Sequence, residues 1–196
     1  KHPNGASSGY NTYLPGKKLP SDKWIGMKYL AYNIENNTKV KLELYIDTTS
    51  NGDISNGGEW TLLGEKIDDG NWATKDVKGC SYNNNEVILN GGGIAIIRNT
   101  GAKSAEYKYL SIREIDTSNS DGKTTSPVLI ERTTTSPVSS SDNDASATTL
   151  KEIQPISIVA SRDDGNIANN VFDNDLSTRW SSSGKGENLT IDLGAK

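Results

Sequence analysis

The fold class of this chain follows from one stretch, Lys39-Val40-Lys41-Leu42-Glu43-Leu44-Tyr45-Ile46-Asp47. Apolar and polar residues alternate, so that every second side chain from Val40 to Ile46 is aliphatic. Successive side chains of an extended strand point to opposite faces, so this period of two puts the aliphatic residues on one face and Tyr45 on the other. The stretch therefore predicts a half-buried antiparallel strand.

Similar strand signals recur on both sides of this stretch, separated by turn-forming residues. They lie at 24–33, 60–67, 87–89, 94–98 and 107–115. No segment shows a helical period. The pattern predicts an all-β domain over residues 1–116, an antiparallel β-sandwich of the jelly-roll kind.

Composition narrows the functional classes. The 196 residues carry a formal net charge of -4, so the composition does not indicate the basic surface of a nucleic-acid-binding protein. No apolar run approaches the roughly 20 residues of a membrane-spanning helix, so we expect no membrane insertion. The hydrophobic share of 33% is low for a compact globule, which predicts that part of the chain is loop or linker.

Residues 117–149 have the composition of a linker. Ser and Thr dominate, apolar residues are few, and the pentapeptide Thr-Thr-Ser-Pro-Val occurs at both 124–128 and 134–138. Such a segment buries too little apolar area to offset its ordering entropy. We therefore predict an extended connection between a first domain, 1–116, and a second, 150–196.

The second domain contains an oxygen-rich run, Val171-Phe172-Asp173-Asn174-Asp175-Leu176-Ser177-Thr178-Arg179-Trp180. Strand signals at 156–161 and 189–194 flank it. This order of strand, acidic turn, Arg-Trp and Ile-Asp-Leu-Gly strand resembles the N-terminal part of a discoidin (factor V/VIII type C) domain. That family includes many carbohydrate-binding modules, so the resemblance implies a second, partial β-sandwich whose remainder lies beyond residue 196.

The discoidin resemblance implies a structural calcium ion at this turn. Its ligands would be the side chain of Asp173, the oxygens of Thr178 and backbone carbonyls near Val171 and Asp175. Hard cations such as calcium prefer several closely spaced oxygens. The alternative is a metal-free Asx turn leading into Trp180, which we expect to pack beneath the turn while Arg179 bridges to an acid.

The first domain carries a second resemblance. Lys23-Trp24-Ile25-Gly26-Met27-Lys28-Tyr29-Leu30-Ala31-Tyr32-Asn33, the 40–47 strand, Trp60, the 91–93 glycines and the closing 109–115 segment together look like part of a known sandwich. They are similar to the C-terminal half of concanavalin-like jelly rolls of the alginate lyase-like polysaccharide lyases. The likeness implies further strands before Lys1.

A lyase that cleaves a uronate chain by β-elimination needs a group that neutralises the substrate carboxylate, a base that removes the C5 proton and an acid that protonates the leaving oxygen. The lyase family supplies part of these from Gln-x-His and Tyr-Lys-x-Gly-x-Tyr motifs, and neither occurs here. The closest run, Tyr107-Lys108-Tyr109, lacks the following Gly and Tyr. We therefore assign no catalytic residue and favour a protein that binds without catalysis.

Aromatic side chains are the candidates for sugar contact, since a ring face packs against the C–H side of a pyranose. The candidates are Tyr45, Tyr29, Trp72 and Tyr107, although tyrosines in sheets also commonly cover strand surfaces. Asn36 and Asn188 each begin an Asn-x-Thr glycosylation motif.

The sequence thus predicts a secreted or cell-surface multidomain protein that binds a polysaccharide or surface glycan. Two weak modules on a flexible tether gain avidity on a repetitive polymer. Two alternatives stay open. One is an extracellular polysaccharide lyase whose catalytic half lies upstream, and the other is a structural adhesion component whose discoidin module binds a protein partner.

Overall fold

The regular structure of the described residues is almost entirely β. The computed structural model describes residues 22–49, 59–71, 86–115 and 151–194. The predicted linker at 117–149 and the candidate Trp72 lie outside these ranges. The strands are β1 (Gly26–Ile34), β2 (Lys39–Asp47), β3 (Thr61–Asp68), β4 (Ile94–Arg98), β5 (Ser104–Tyr107), β6 (Ser157–Ala160), β7 (Trp180–Ser183) and β8 (Asn188–Asp192). A 3₁₀ turn covers Ala168–Val171.

All strand pairs among these elements are antiparallel, which confirms the predicted all-β, antiparallel class. In the part of the chain that the structure covers, no helix has the length and apolar character needed to cross a membrane. The described residues fall into two compact units. The first comprises the residues up to 90, and the second comprises 91–115 together with 151–194.

The first unit is a three-stranded meander in the order β1-β2-β3. Its β1–β2 register pairs Gly26 with Asp47 and Ile34 with Lys39, so the two strands run alongside each other for their full length. A β-bulge at Leu44 and Tyr45 shifts the register against β3. The alternating stretch at 39–47 is thus the central strand of this sheet.

The burial of β2 departs from its polarity pattern. Val40 and Ile46 are buried as predicted, but Glu43 and Asp47, on the opposite face, are each only 1% exposed. Lys41 is buried as well. Buried charge is tolerated where opposite charges and hydrogen bonds satisfy it, and Lys41 lies 2.9 Å from Glu43. Alternation therefore predicted the strand but not which of its faces is covered.

The second unit contains a three-stranded sheet in the order β4-β8-β6 and a two-stranded ribbon of β5 and β7. Val171, Trp180 and Leu189 form its core and are fully buried. The central strand β8 adds Ile191 on the same face as Leu189, also fully buried. Apolar residues spaced by two along one strand thus face this core, as the period of β8 predicts.

Strands β4 and β5 join the sequence segment 91–115 to the C-terminal segment. Strand β4 pairs with β8 over Ile94–Arg98, and β5 pairs with β7 over Ser104–Tyr107. Sequence patterning had instead grouped residues 91–115 with the first domain, 1–116. Strand periodicity identifies a strand but not its partner, and pairing depends on contacts between residues distant in sequence.

Two predicted strands are absent from the described residues. Residues 87–89 form no strand, and the Ile88 N–H donates to the Asp68 carboxylate instead of to a neighbouring strand. The 107–115 segment leaves its strand after Tyr107 because Tyr109 has a φ of 53°, in the left-handed region. Only an isolated bridge from Arg113 to Glu152 follows.

Candidate functional site

The candidate site lies on one face of the β1-β2-β3 sheet, which we call the polar face and which is buried at Lys41 and Glu43 but half-buried at Lys28, Tyr45 and Trp60. It consists of Lys28 and Tyr32 on β1, Lys41, Glu43 and Tyr45 on β2, Glu65 on β3, and Trp60 just before β3. The register places these strand residues together, because Lys28 lies opposite Tyr45 and Tyr32 lies opposite Lys41. Residues directly opposite each other in an antiparallel pair share a face.

An ammonium group sits over both aromatic rings at one end of the polar face. The Lys28 Nζ lies 4.6 Å from the ring centroid of Tyr45 and 4.6 Å from that of Trp60. Both distances fall within the range of cation–π attraction. The three side chains are half-buried, so the rings are held in place while part of their surface remains accessible.

Gly26 allows the Trp60 ring to approach the sheet. A Cβ atom added at Gly26 would lie 2.9 Å from Cη2 of Trp60, closer than side-chain carbons approach each other. The glycine therefore lets the indole lie directly against the β1 backbone. Larger residues at this position would displace the ring from Lys28.

The other end of the polar face holds a buried charge network. Lys41 Nζ lies 2.9 Å from Glu43 Oε1 and 3.1 Å from Glu65 Oε2. Burial alone would lower the pKa of Lys41, but its hydrogen bonds to Glu43 and Glu65 outweigh burial and raise that pKa. The ammonium is therefore firmly protonated at neutral pH.

Tyr32 belongs to the same network. Burial, reinforced by the negative charge of Glu43, raises the pKa of the Tyr32 phenol. A phenol or amine that abstracts a proton from a sugar carbon needs a pKa moved toward the working pH. The pKa shifts of Tyr32 and Lys41 run the other way, so these two groups are suited to holding hydrogen bonds rather than to taking protons.

The four sugar-contact candidates from the sequence do not converge. Tyr45 lies on the polar face, whereas Tyr29, next to Lys28 on β1, projects from the opposite face and is 63% exposed. Tyr107 lies in the second unit, where it packs against the core, and burial raises its pKa. Trp72 is outside the described residues.

Sequence reasoning missed Lys28, Trp60 and Tyr32 as partners of Tyr45. For Lys28 and Tyr32 the signal was present in the hairpin: the four residues between β1 and β2 fix the register, and counting back from the turn places Lys28 opposite Tyr45 and Tyr32 opposite Lys41. Trp60 gave no such signal, because its contact with Lys28 passes across the sheet.

The acidic turn of the second unit is the candidate metal centre. Thr178 Oγ1 lies 2.6 Å from Asp173 Oδ2, 3.1 Å from the Asp175 carbonyl oxygen and 3.3 Å from the Asn170 carbonyl oxygen. A hydroxyl has one hydrogen to donate. Three acceptors gathered around a single donor leave surplus lone pairs, which is the donor chemistry that a hard cation satisfies.

One of the predicted ligands has another partner. The Val171 carbonyl accepts a hydrogen bond of 2.7 Å from the Leu110 N–H. The Asp175 carboxylate accepts from both the hydroxyl and the N–H of Ser177, the hydroxyl bond first among the causes that lower its pKa. Its backbone carbonyl, rather than its side chain, therefore faces Thr178.

The donor set at this turn is mixed rather than rich in carboxylates. No three His, Cys, Asp or Glu side chains come together as a metal-binding group among residues 22–49, 59–71, 86–115 and 151–194. Asp173 contributes the carboxylate, and the remaining oxygens are a hydroxyl and carbonyls. These oxygen ligands fit calcium chemically, and a single carboxylate among them is typical of a weak calcium site.

The residues after the turn have the structural contacts predicted for them. Trp180 is fully buried and its indole N–H donates to the Arg162 carbonyl at 3.0 Å. Arg179 Nε lies 3.2 Å from Glu106 Oε2. The serines that follow lie in β7, where Ser181 and Ser182 are buried.

No protein-family model, curated protein or solved structure matches this chain. Its function is therefore argued from the two sites themselves.

Proposed function

We propose that this chain binds an extracellular polysaccharide or a cell-surface glycan without altering it chemically. The observation that supports this most is the Lys28 ammonium lying 4.6 Å from the ring centroids of both Tyr45 and Trp60. Rings fixed before binding lose little conformational entropy when a sugar packs against them. Partly exposed aromatic surface beside hydrogen-bonding groups is the chemistry that recognises a pyranose.

The polar groups of the same face supply the complementary half of sugar recognition. Glu65 is exposed and Tyr32 is half-buried, so a carboxylate and a phenol lie on the same face as the aromatic pair. Lys41 and Glu43 hold these groups in place through their ion pairs. Carboxylates and phenols exchange hydrogen bonds with sugar hydroxyls.

The charge network also favours binding over elimination chemistry. The raised pKa values of Tyr32 and Lys41 keep both groups protonated at neutral pH. A lyase would need one of its groups poised to accept the sugar proton. The protonated Tyr32 and Lys41 are suited to donating hydrogen bonds to a bound polymer, which supports binding.

Calcium at the Asp173–Thr178 turn is the second part of the proposal. When bound, the ion would crosslink the loop by drawing together the oxygens of Asp173, Asp175 and Thr178. The chain's own residues already place these oxygens around one hydroxyl. We further propose a secreted or cell-surface location, which the Ser/Thr-rich composition of 117–149 supports.

Affinity measurements on the full chain test the proposed site. We expect retention by at least one polysaccharide in a panel of neutral and acidic polymers. Tyr45→Ala should weaken that binding by about tenfold, which corresponds to losing about 1.4 kcal/mol of contact. Tyr29→Ala is the matched control, because it removes the same side chain from the opposite face of the same sheet.

The two possible failures have different meanings. If no polysaccharide or glycan retains the wild-type chain, the proposed function is wrong. If a polysaccharide binds and Tyr45→Ala binds as well as wild type, the function stands and the polar face is not its site.

A further inference from the structure

The β1–β2 hairpin carries an Asn-x-Thr motif at its tip. Asn36-Asn37-Thr38 lies in the four-residue connection between Ile34 and Lys39. The motif is an acceptor for N-linked glycans, which are bulky and need a surface position. Asn188-Leu189-Thr190 is the other copy of the motif in the described residues, so the structure allows the two acceptors to be compared.

The hairpin holds Asn36 outward in a defined conformation. Glu35, Asn36 and Asn37 have φ values of 50°, 55° and 62°, three consecutive residues in the left-handed region. All four residues of the connection are exposed. Asparagine tolerates this backbone conformation better than most residues, so the turn itself selects asparagines here.

The turn is fixed by contacts that leave the Asn36 carboxamide out. Thr38 donates its hydroxyl to the Glu35 carbonyl at 2.7 Å and its N–H to the Ile34 carbonyl at 3.2 Å. An ion pair of 2.7 Å joins Lys39 to Glu35. Among the described residues, no hydrogen bond involves the Asn36 side chain. A glycan on this nitrogen would therefore break no contact of the turn.

Asn188 is placed very differently. It begins β8, the central strand of its sheet, and is half-buried. Its N–H donates to Ser161 Oγ, its carbonyl accepts from the Ser161 N–H, and its side-chain oxygen accepts from Thr190. The next residue, Leu189, is fully buried in the core. These bonds and the buried neighbour hold Asn188 in a half-buried strand position, unlike the exposed hairpin tip that carries Asn36.

We propose that Asn36 is a site of N-linked glycosylation and that Asn188 is not. In the reaction, the Asn36 amide nitrogen forms a bond to C1 of the first sugar of a lipid-pyrophosphate-linked oligosaccharide. The bond from C1 to the pyrophosphate oxygen breaks, the lipid pyrophosphate leaves with the electron pair, and the amide nitrogen loses one proton to the transferring enzyme. The proposal shares with the proposed function only the secretory route and does not depend on glycan binding by the polar face.

The test directs the full chain through the secretory pathway of a eukaryotic cell behind a cleavable signal. Wild type, Asn36→Gln, Thr38→Ala, Thr38→Ser and Asn188→Gln are each digested with an amidase that releases N-glycans. We expect a loss of mass on digestion for wild type, Thr38→Ser and Asn188→Gln, and none for Asn36→Gln and Thr38→Ala. Because the amidase converts a glycosylated Asn to Asp, peptide masses should show Asp at position 36.

Three results would overturn the proposal. They are a secreted wild-type chain without glycan, a mass loss that Asn36→Gln does not remove, and Asp at position 188 after digestion. Secretion of Asn36→Gln at the wild-type level separates a lost acceptor from a misfolded chain. Polysaccharide affinity, measured on the same samples, reports independently on the proposed function.

Discussion

The rings of Tyr107 and Trp180 stack with centroids 5.6 Å apart and planes inclined by 24°. Tyr107 ends β5 and Trp180 begins β7, and the two residues are register partners in that ribbon. The stack therefore joins the 91–115 segment to the C-terminal segment at the core of the second unit. Just beyond it, the Leu110 N–H bonds the Val171 carbonyl at the edge of the acidic turn.

Removing the Tyr107 ring should destabilise the second unit. Tyr107→Ala exposes the fully buried Trp180 and leaves a cavity, at a cost of about 3 kcal/mol. Hydrogen exchange of the Leu189 and Ile191 amides is the measurement, since these lie in the unit's central strand. We expect faster exchange there and unchanged exchange in β2. Equal protection of Leu189 in wild type and variant would mean that the 91–115 segment does not support this core.

Alanine substitutions at two adjacent serines of β7 should change the free energy of unfolding in opposite directions. The Ser182 hydroxyl is fully buried and lacks a hydrogen-bond partner among the described residues. Ser182→Ala removes an unsatisfied polar group, so the free energy of unfolding should rise by about 1 kcal/mol. Thermal or denaturant unfolding measures it, and a clear loss of stability would show that the hydroxyl has a partner in solution.

Ser181→Ala is the matched substitution. The Ser181 hydroxyl donates to Asp164 at 2.6 Å and accepts from Asn166 at 3.0 Å, so its removal should lower stability by about 1 kcal/mol. The Ser181 bond, followed by the Asn166 bond, holds the pKa of Asp164 below its ordinary value. Carbon NMR titration of Asp164 should show its pKa rising in Ser181→Ala. An unshifted Asp164 would contradict these bonds.

The first unit should lose stability at alkaline pH. The pKa values of Tyr32 and Lys41 are raised in the folded chain above 10.0 and 10.5, their values in unfolded chains. The folded state therefore binds these protons more tightly, and their stabilisation is complete below pH 10 and lost as pH rises through the folded pKa values. Denaturant unfolding as a function of pH measures the slope. The free energy of unfolding of Tyr32→Phe should fall less steeply above pH 10 than that of wild type. An identical slope would contradict the raised pKa of Tyr32 in the folded chain.

Calcium should stabilise the second unit through Asp173. We expect the thermal midpoint to rise with calcium at about 10⁻⁴ to 10⁻³ M, the range of sites with few charged ligands. Asp173→Ala should abolish the rise. Asp163→Ala is the control, since Asp163 lies in a different exposed loop and, among the described residues, its carboxylate bonds only the Gly165 N–H. A calcium response that survives Asp173→Ala, or none in wild type, would contradict the proposed ligand.

Local sequence pattern predicted most strands of this fold. The alternation at 40–46 and the aliphatic runs at 94–98 and 189–191 depend on neighbours within one strand, so the period of two reveals them. Strand β7 escaped prediction because Trp180-Ser181-Ser182-Ser183 has the composition of a loop. The partners of its buried Ser181 and Ser182 are distant in sequence, namely Glu106 and Ala105 across the ribbon and Asp164 from a loop.

The two candidate sites also differ in how far the sequence could predict them. The acidic turn was predictable because Asp173, Asp175 and Thr178 lie within one short loop. Residues so close in sequence necessarily bring their oxygens close together. The polar face was not, because Lys28, Tyr45 and Trp60 come from three separate segments. Polarity alone also placed Glu43 at the surface, whereas its ion pair with Lys41 allows it to be buried.

The most direct test of glycan binding by the polar face is amide chemical-shift mapping with a bound oligosaccharide of the best polysaccharide from the panel. We predict the largest shifts at Lys28, Tyr45 and the Trp60 indole N–H, with the exposed loops of the second unit unchanged. Saturable shifts confined to the Tyr29 face or to the second unit would contradict this account.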